Sequence, residues 1–171
     1  MPAFQTEHPS LETLPEWPGR TIAVLTTVDP DPYAIPISAP QRAGDRGILL
    51  TLRRDRGSLD RLRRRPQVAI TLLTEGDIAF TARGQARIVE ESMASAPDYA
   101  AVAIDVEHID DHRQPAFTVE AGVDRRWVDD GEQRALRARV AALRLYANDS
   151  TILAISPTSS SDPEATATTR S

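Results

Sequence analysis

"GILLTLRRDRGSLDRLRRRPQVAITLL", Gly47 to Leu73, is the stretch whose reading decides the fold. It contains two apolar runs, Ile48–Leu52 and Gln67–Thr74, the second completed by the next residue. Runs of this length, rich in branched side chains and bounded by turn formers, read as strands. Between them Ser58 offers an N-cap, and Leu59 and Leu62 fall three apart on one face of a short helix. Pro66 stops that helix. Seven arginines crowd into the thirteen positions from Arg53 to Arg65, so this turn and helix carry a dense positive charge.

Working outward, "TIAVLTTV" (Thr21–Val28) reads as a buried strand and "DPDP" (Asp29–Pro32) as a turn. "YAIPISAP" (Tyr33–Pro40) alternates and predicts a second strand antiparallel to the first, with Pro36 at an edge or a bulge. "QRAGDRG" reads as a loop. "EGD" (Glu75–Asp77) is a turn into a long alternating strand, Ile78–Glu91, with Gly84 as a bulge. "SMASAPDYA" reads as a short helix or crossover, Ala101–Ile109 as a sixth strand, and Pro115–Val123 as a seventh or an extension. Asp130–Asn148 predicts a helix with Leu136, Val140, Leu143 and Leu145 as its apolar stripe. The expectation is therefore a mainly β (α+β) chain. It is a six- to seven-stranded antiparallel split β-barrel with a short helix between strands three and four and a C-terminal helix.

The domain reading is one unit over residues 21–155, including the helix at 130–148. An N-terminal arm over 1–20, with Ser10 capping a short helix in "SLETLPEW", precedes it. A polar, disordered Ser/Thr/Pro tail over 156–171 follows.

Composition narrows the chemistry. The chain has 171 residues, enough to bury a real core, and its net charge of -5 argues against general nucleic-acid binding. With no cysteine, thiol catalysis, disulfides and Cys-based metal sites are excluded. All twenty residues of the Lys+Arg count are arginines, which excludes Schiff-base lysines. The N-terminus lacks the basic and apolar regions of a signal peptide, and no apolar run is long enough for a membrane span. Those features set an expectation of a cytoplasmic protein with no membrane and no nucleic-acid partner. "DVEHIDDHR" places His108 and His112 four apart, but in a strand end, where that spacing does not bring both to one face; no metal site is expected. No nucleophile motif and no phosphate loop occurs.

Four pieces, taken in order, carry a resemblance: "TIAVLTTVDPDPYAIPIS", "GILLTLRRDRGSLDRLRRRPQVAITLL", "ARGQARIVEE" and "AAVAIDVEHI". Together they cover most of Thr21 to Ile109. In this the chain resembles the pyridoxamine 5′-phosphate oxidase-like family, the flavin-binding split β-barrels. The resemblance implies a homodimer that holds FMN, or alternatively a deazaflavin coenzyme, between two barrels. It implies that the second strand lies along the flavin ring, at Ile35, Pro36, Ile37 and Ser38. It implies that Thr51, Leu52, Arg53, Arg56, Ser58 and Arg61 hold the phosphate. Many relatives carry a lysine at the position of Ser58 and an asparagine at that of Arg61, so this chain departs from the pattern there.

"RRDRGS" independently offers guanidinium forks, a hydroxyl and helix-start N–H groups to a phosphate, each charged contact contributing about 1.5–3 kcal/mol. Arg63, Arg64 and Arg65 are expected to face solvent or acidic partners. "DRRWVDD" raises Arg125, Arg126 and Trp127 as residues that reach a cofactor, with a packing tryptophan as the plainer reading. The functional expectation is an oxidoreductase-like protein passing a hydride to or from a small organic substrate, chemistry carried mainly by the cofactor. A non-catalytic cofactor- or ligand-binding barrel is the reading from a different class, favoured by Ser58. No general acid or base is singled out.

Overall fold

A computed structural model describes residues 10–149. The expected tail and the first nine residues of the expected arm lie outside them. Seven strands and two helices follow in the order β1 (Ile22–Thr27), β2 (Tyr33–Ser38), β3 (Gln41–Arg42), β4 (Gly47–Arg53), α1 (Ser58–Arg64), β5 (Gln67–Thr74), β6 (Ile78–Glu90), β7 (Tyr99–Asp111) and α2 (Asp130–Ala147). The strands form one antiparallel sheet in the order β2-β1-β5-β6-β7-β4-β3. The sheet curls until its two ends meet: β2 comes into contact with β4 without pairing to it. The result is an open half-barrel.

The barrel interior takes one face of each strand. Ala23 and Leu25, Ile37, Ile48 and Leu50, Ile70 and Leu72, Phe80, and Val102 and Ile104 pack there with Leu59 and Leu62 of α1. A second cluster explains the unbroken apolar runs of β4 and β7, which are buried on both faces. Leu49, Ala101 and Ala103 point outward and are covered by Leu143 of α2 and by Met93. The alanines let the helix approach closely. Asp129 caps α2, its Oδ1 accepting from the N–H groups of Gly131 (2.6 Å) and Glu132 (3.2 Å).

Gly84 sits where β6 shifts register against β7. A Cβ there would lie 2.0 Å from the carbonyl oxygen of Asp105, so the two backbones meet at a distance no other residue permits. Pro36 lies on the edge strand. Ala39 N–H donates to Thr21 C=O, and the register puts the next bonded pairs at Ala23–Ile37 and Leu25–Ile35. Pro36 falls between those pairs, its nitrogen turned away from β1.

Several expectations are corrected. "SLETLPEW" forms no helix: Pro15 and Pro18 disfavour helical backbone at Leu14 and Trp17. The segment is pinned instead by Leu14 N–H to Asp45 C=O (2.9 Å) and by Trp17 Nε1–H to Pro40 C=O (2.9 Å). "QRAGDRG" is a loop only from Ala43, because Gln41–Arg42 pair with β4 as β3. Gly57, not Ser58, is the N-cap of α1, and Ser58 is its buried first residue. "SMASAPDYA" is a tight turn closed by a Met93–Ala96 bridge, with no helix. Pro115–Val123 forms no seventh strand. Phe117 and Val123 face outward and bury no face, and the segment touches the β5–β6 turn through Asp77 N–H to Val119 C=O and Val119 N–H to Asp77 Oδ1. Leu145 is 72% exposed and so lies off the apolar stripe of α2.

Gly84→Ala is expected to destabilise the fold by about 3 kcal/mol, because neither β6 nor β7 backbone can retreat within the paired sheet. Urea unfolding of the two proteins measures this directly. A loss below about 0.5 kcal/mol, the scale of a neutral surface change, would mean that the close approach is absent.

Candidate functional site

At the split of the half-barrel, two unpaired strand edges face each other. Among the described residues, β2 has no strand neighbour beyond β1. On β4, β3 covers only Ile48 and Leu49, which leaves the outer edge of Leu50–Arg53 free. A cleft of about 730 Å³ fills the gap. All ten residues named from the sequence line it: Ile35, Pro36, Ile37 and Ser38 from β2, Thr51, Leu52 and Arg53 from β4, and Arg56, Ser58 and Arg61 from the turn and α1. Tyr33, Tyr99, Leu136 and Arg139 also line it and were not anticipated.

The cleft is one-sided in charge. Among the described residues, four arginines line it and no carboxylate does. Arg53 is already engaged: its Nε and Nη2 donate to the two oxygens of Asp55 at 3.0 and 2.8 Å. That hydrogen-bonded pair raises the Arg53 pKa and holds the Asp55 carboxyl below its ordinary value. The pair is exposed, so it orients Arg53 more than it stabilises the fold. Arg61 donates to the backbone carbonyl of Asp29 and stacks on Tyr33, 4.6 Å from the ring centre. Among the described residues the Arg56 side chain makes no hydrogen bond or ion pair.

Arg139 is the exceptional group. It comes from α2, is 8% exposed, and its Nε is buried without a hydrogen-bond partner. Its guanidinium carbon lies 3.9 Å from the centre of the Tyr99 ring, while Arg53 lies 5.9 Å from the same ring. Tyr99 is placed by the Met93–Ala96 turn, its N–H donating to Ala96 C=O (2.9 Å). A buried guanidinium facing a π-cloud keeps some stabilisation, but an unpaired buried donor remains costly. A bound anion would satisfy it. The sequence held a signal for this residue: Arg139 falls three after Leu136 and four before Leu143, on the apolar stripe of α2, where arginine is out of place.

The other arginines of the opening stretch are surface groups. Arg54 donates to Pro97 C=O (3.1 Å), Arg63 bridges Asp60 (2.7 Å) and Glu91 (2.5 Å), Arg64 pairs with Asp29, and Arg65 is exposed. In the His108–His112 stretch, Asp110 pairs with Arg83, while His112 Nε2 meets Thr81 Oγ1 at 2.8 Å. No group of three potential metal ligands converges among the described residues. Arg125 and Trp127 stack on each other outside the cleft, with 5.3 Å from the guanidinium carbon to the ring centre. Among the described residues no helix is long and apolar enough to cross a membrane.

Neither a protein-family model nor a curated protein matches the chain. Solved structures do share part of the fold. HupZ of Group A Streptococcus is 18% identical over 60% of this chain and 90% of its own, with a TM-score of 0.48. General stress protein 26 of Bacillus anthracis is 19% identical over 53% and 83%, with a TM-score of 0.45. A Clostridium acetobutylicum protein of the pyridoxinephosphate oxidase family, related to general stress protein 26, is 13% identical over 56% and 81%, with a TM-score of 0.46. These are likenesses of partial fold, and the function is read from the cleft's own geometry.

Arg139→Met tests whether the buried charge serves a ligand. Methionine keeps a favourable contact with the Tyr99 ring and removes the unpaired donor. The variant is expected to be more stable than the parent without ligand by about 1 kcal/mol. Thermal unfolding of both, dialysed free of small anions, checks this. A large loss of stability would make Arg139 a structural residue.

Proposed function

We propose that this chain binds a flavin-type coenzyme in the β2–β4 cleft, FMN first and a deazaflavin coenzyme as the alternative. In this reading it acts as an oxidoreductase-like protein on a small organic molecule. The observation that carries this is Arg139, a buried arginine whose Nε has no hydrogen-bond partner, in the wall of a cleft whose lining among the described residues holds four arginines and no carboxylate. The volume of about 730 Å³ lies within the range of small-molecule and cofactor sites.

The donor set fits the coenzyme. The Arg56 and Arg139 side chains have no hydrogen bond or ion pair to another described residue, Arg61 is held only by backbone carbonyls and the Tyr33 ring, and Thr51 and Ser58 add hydroxyls to the lining. Together they suit a phosphate dianion. Arg139 supplies from α2 the charge that the family pattern places at Ser58. The edge of β2 offers a flat heterocycle the apolar surface of Ile35 and Pro36, with Ser38 at one end. When bound, the flavin supplies hydride chemistry at its N5. The chain's residues hold the phosphate, align the ring along β2 and narrow the cleft against water through Tyr33, Tyr99 and Leu136.

A second copy of the chain is proposed to close the open side, as a homodimer with the coenzyme at the interface. The outer face of β2, β1 and β5 supports it. Ala34 and Pro36, then Val24 (43% exposed), then Leu73 (52% exposed) form a small apolar patch beside the cleft. A non-catalytic, ligand-binding barrel is the competing reading, favoured by serine at position 58.

Absorbance and fluorescence titrations with FMN and with the deazaflavin are the test. One of them is expected to bind at micromolar concentration. Arg139→Met and Arg56→Gln should each weaken that binding about tenfold, the effect of losing one charged hydrogen bond. Light scattering should report twice the chain mass. If neither coenzyme binds, the cofactor reading falls and the ligand-binding barrel takes its place.

A further inference from the structure

A second cavity, of about 370 Å³, lies beyond Leu136, which lines both it and the cleft. Arg20, Arg125, Arg137 and Arg144 line it, again with no carboxylate. Two of these are engaged elsewhere. Arg20 pairs with Glu75 at 2.8 Å, and Arg144 Nε donates to Gln41 Oε1 at 3.1 Å. The other two have no carboxylate at salt-bridge distance among the described residues. The Arg125 side chain donates to the backbone carbonyl of Arg20 (2.9 Å) and stacks on Trp127, while its backbone N–H donates to Asp124 Oδ1 (2.8 Å). Burial pushes the Arg125 pKa down, with Asp124 opposing. Arg137 makes no hydrogen bond or ion pair among the described residues.

The remaining walls are mostly apolar or aromatic: Leu136, Val140 and Ala141 on α2, Ala39 at the end of β2, and the indole of Trp127, with Gly19 and the Gln133 amide completing them. A hydrated inorganic anion gains nothing from such walls. A planar organic anion gains from both parts: its carboxylate takes guanidinium forks, and its ring lies against indole and aliphatic carbon.

We propose that this cavity binds a small aromatic carboxylate, held by Arg125 and Arg137 and packed against Trp127. The site is separate from the coenzyme cleft, and the inference stands whether or not a flavin binds there. The step is binding alone, with no bond made or broken. Because Leu136 forms a wall of both cavities, the two ligands would lie on either side of one side chain.

Trp127 reports on its own site. The chain has two tryptophans, so Trp17→Phe leaves Trp127 as the sole emitter. In that background, naphthalene-2-carboxylate, cyclohexanecarboxylate and inorganic phosphate are titrated by tryptophan fluorescence and by calorimetry. The naphthoate is expected to change Trp127 emission and to bind at least tenfold tighter than the cyclohexane acid. Arg137→Gln, at an exposed helix position that should not disturb folding, is expected to weaken it about tenfold, and Arg125→Gln by as much. Arg139→Met, in the other cavity, should leave it unchanged. The proposal is overturned by silence of Trp127 up to millimolar naphthoate, by equal binding of phosphate, or by indifference to Arg137→Gln. It is also overturned if Arg139→Met abolishes the signal, which would assign the ligand to the cleft.

Discussion

Pro36 is the constraint on which the rest of the structure turns. The sheet curls far enough to bring β2 against β4, and two free strand edges in contact would ordinarily pair and close the barrel. Pro36 stands in the middle of the β2 edge with its nitrogen turned toward the gap, so the edge lacks a donor where a ladder would need one. β3 is too short to cover β4 beyond Leu49. The gap therefore persists, and the cleft is its consequence. The curl that makes the gap comes from the other side of the sheet. There β6 and β7 run thirteen residues each, and Gly84 lets their backbones meet at a register shift.

Charge is distributed with the same logic. The chain is acidic overall, yet neither cavity beside α2 has a carboxylate in its lining. Several arginines outside the cavities pair with acids: Arg63 with Asp60 and Glu91, Arg64 with Asp29, Arg83 with Asp110. Such exposed pairs contribute little to stability. Their effect is to cancel the field of those arginines, so that the potential concentrates around Arg56, Arg139 and Arg137, which have no salt-bridge partner among the described residues, and the low-dielectric walls focus it.

The barrel was legible in the sequence because its signals are local. Gly47–Thr74 punctuates itself with Gly57 and Pro66, Gly84 marks its own bulge, and the β2 proline announces an edge. The β2 and β4 faces of the cleft were legible for the same reason, since each is a contiguous run. Of the features that were not, three show why. The short helix expected near Leu14 was overridden by two prolines and by a backbone bond to Asp45 more than thirty positions away. Pro115–Val123 has strand composition but pairs with no strand: its backbone bonds to the β5–β6 turn at Asp77, and Phe117 bridges back to the adjoining Gln114. Tyr99 and Arg139 belong to the site only through tertiary packing: a turn closed by Met93 sets the ring, and α2 lays the guanidinium on it. Their sequence signal is indirect, an arginine on an apolar helical stripe.

That stripe bears on how the site was assembled. Leu143, one turn beyond Arg139, packs with Met93, Ala101 and Ala103 in a well-filled apolar cluster. The docking of α2 on β4 and β7 is thus driven by apolar contacts that do not involve the charge. With the helix held by Leu143, the chain can tolerate a guanidinium at 139 that lacks a polar partner, because its desolvation is opposed by the burial of the neighbouring turns and by the Tyr99 ring. A lysine at the start of α1 would have placed the same charge next to Arg53, Arg56 and Arg61 on one short turn, where like charges repel. With serine at 58 and arginine at 139, the cations of the cleft come from β4, the turn into α1, α1 itself and α2, so the charge of its lining depends on the C-terminal helix as well as on the barrel.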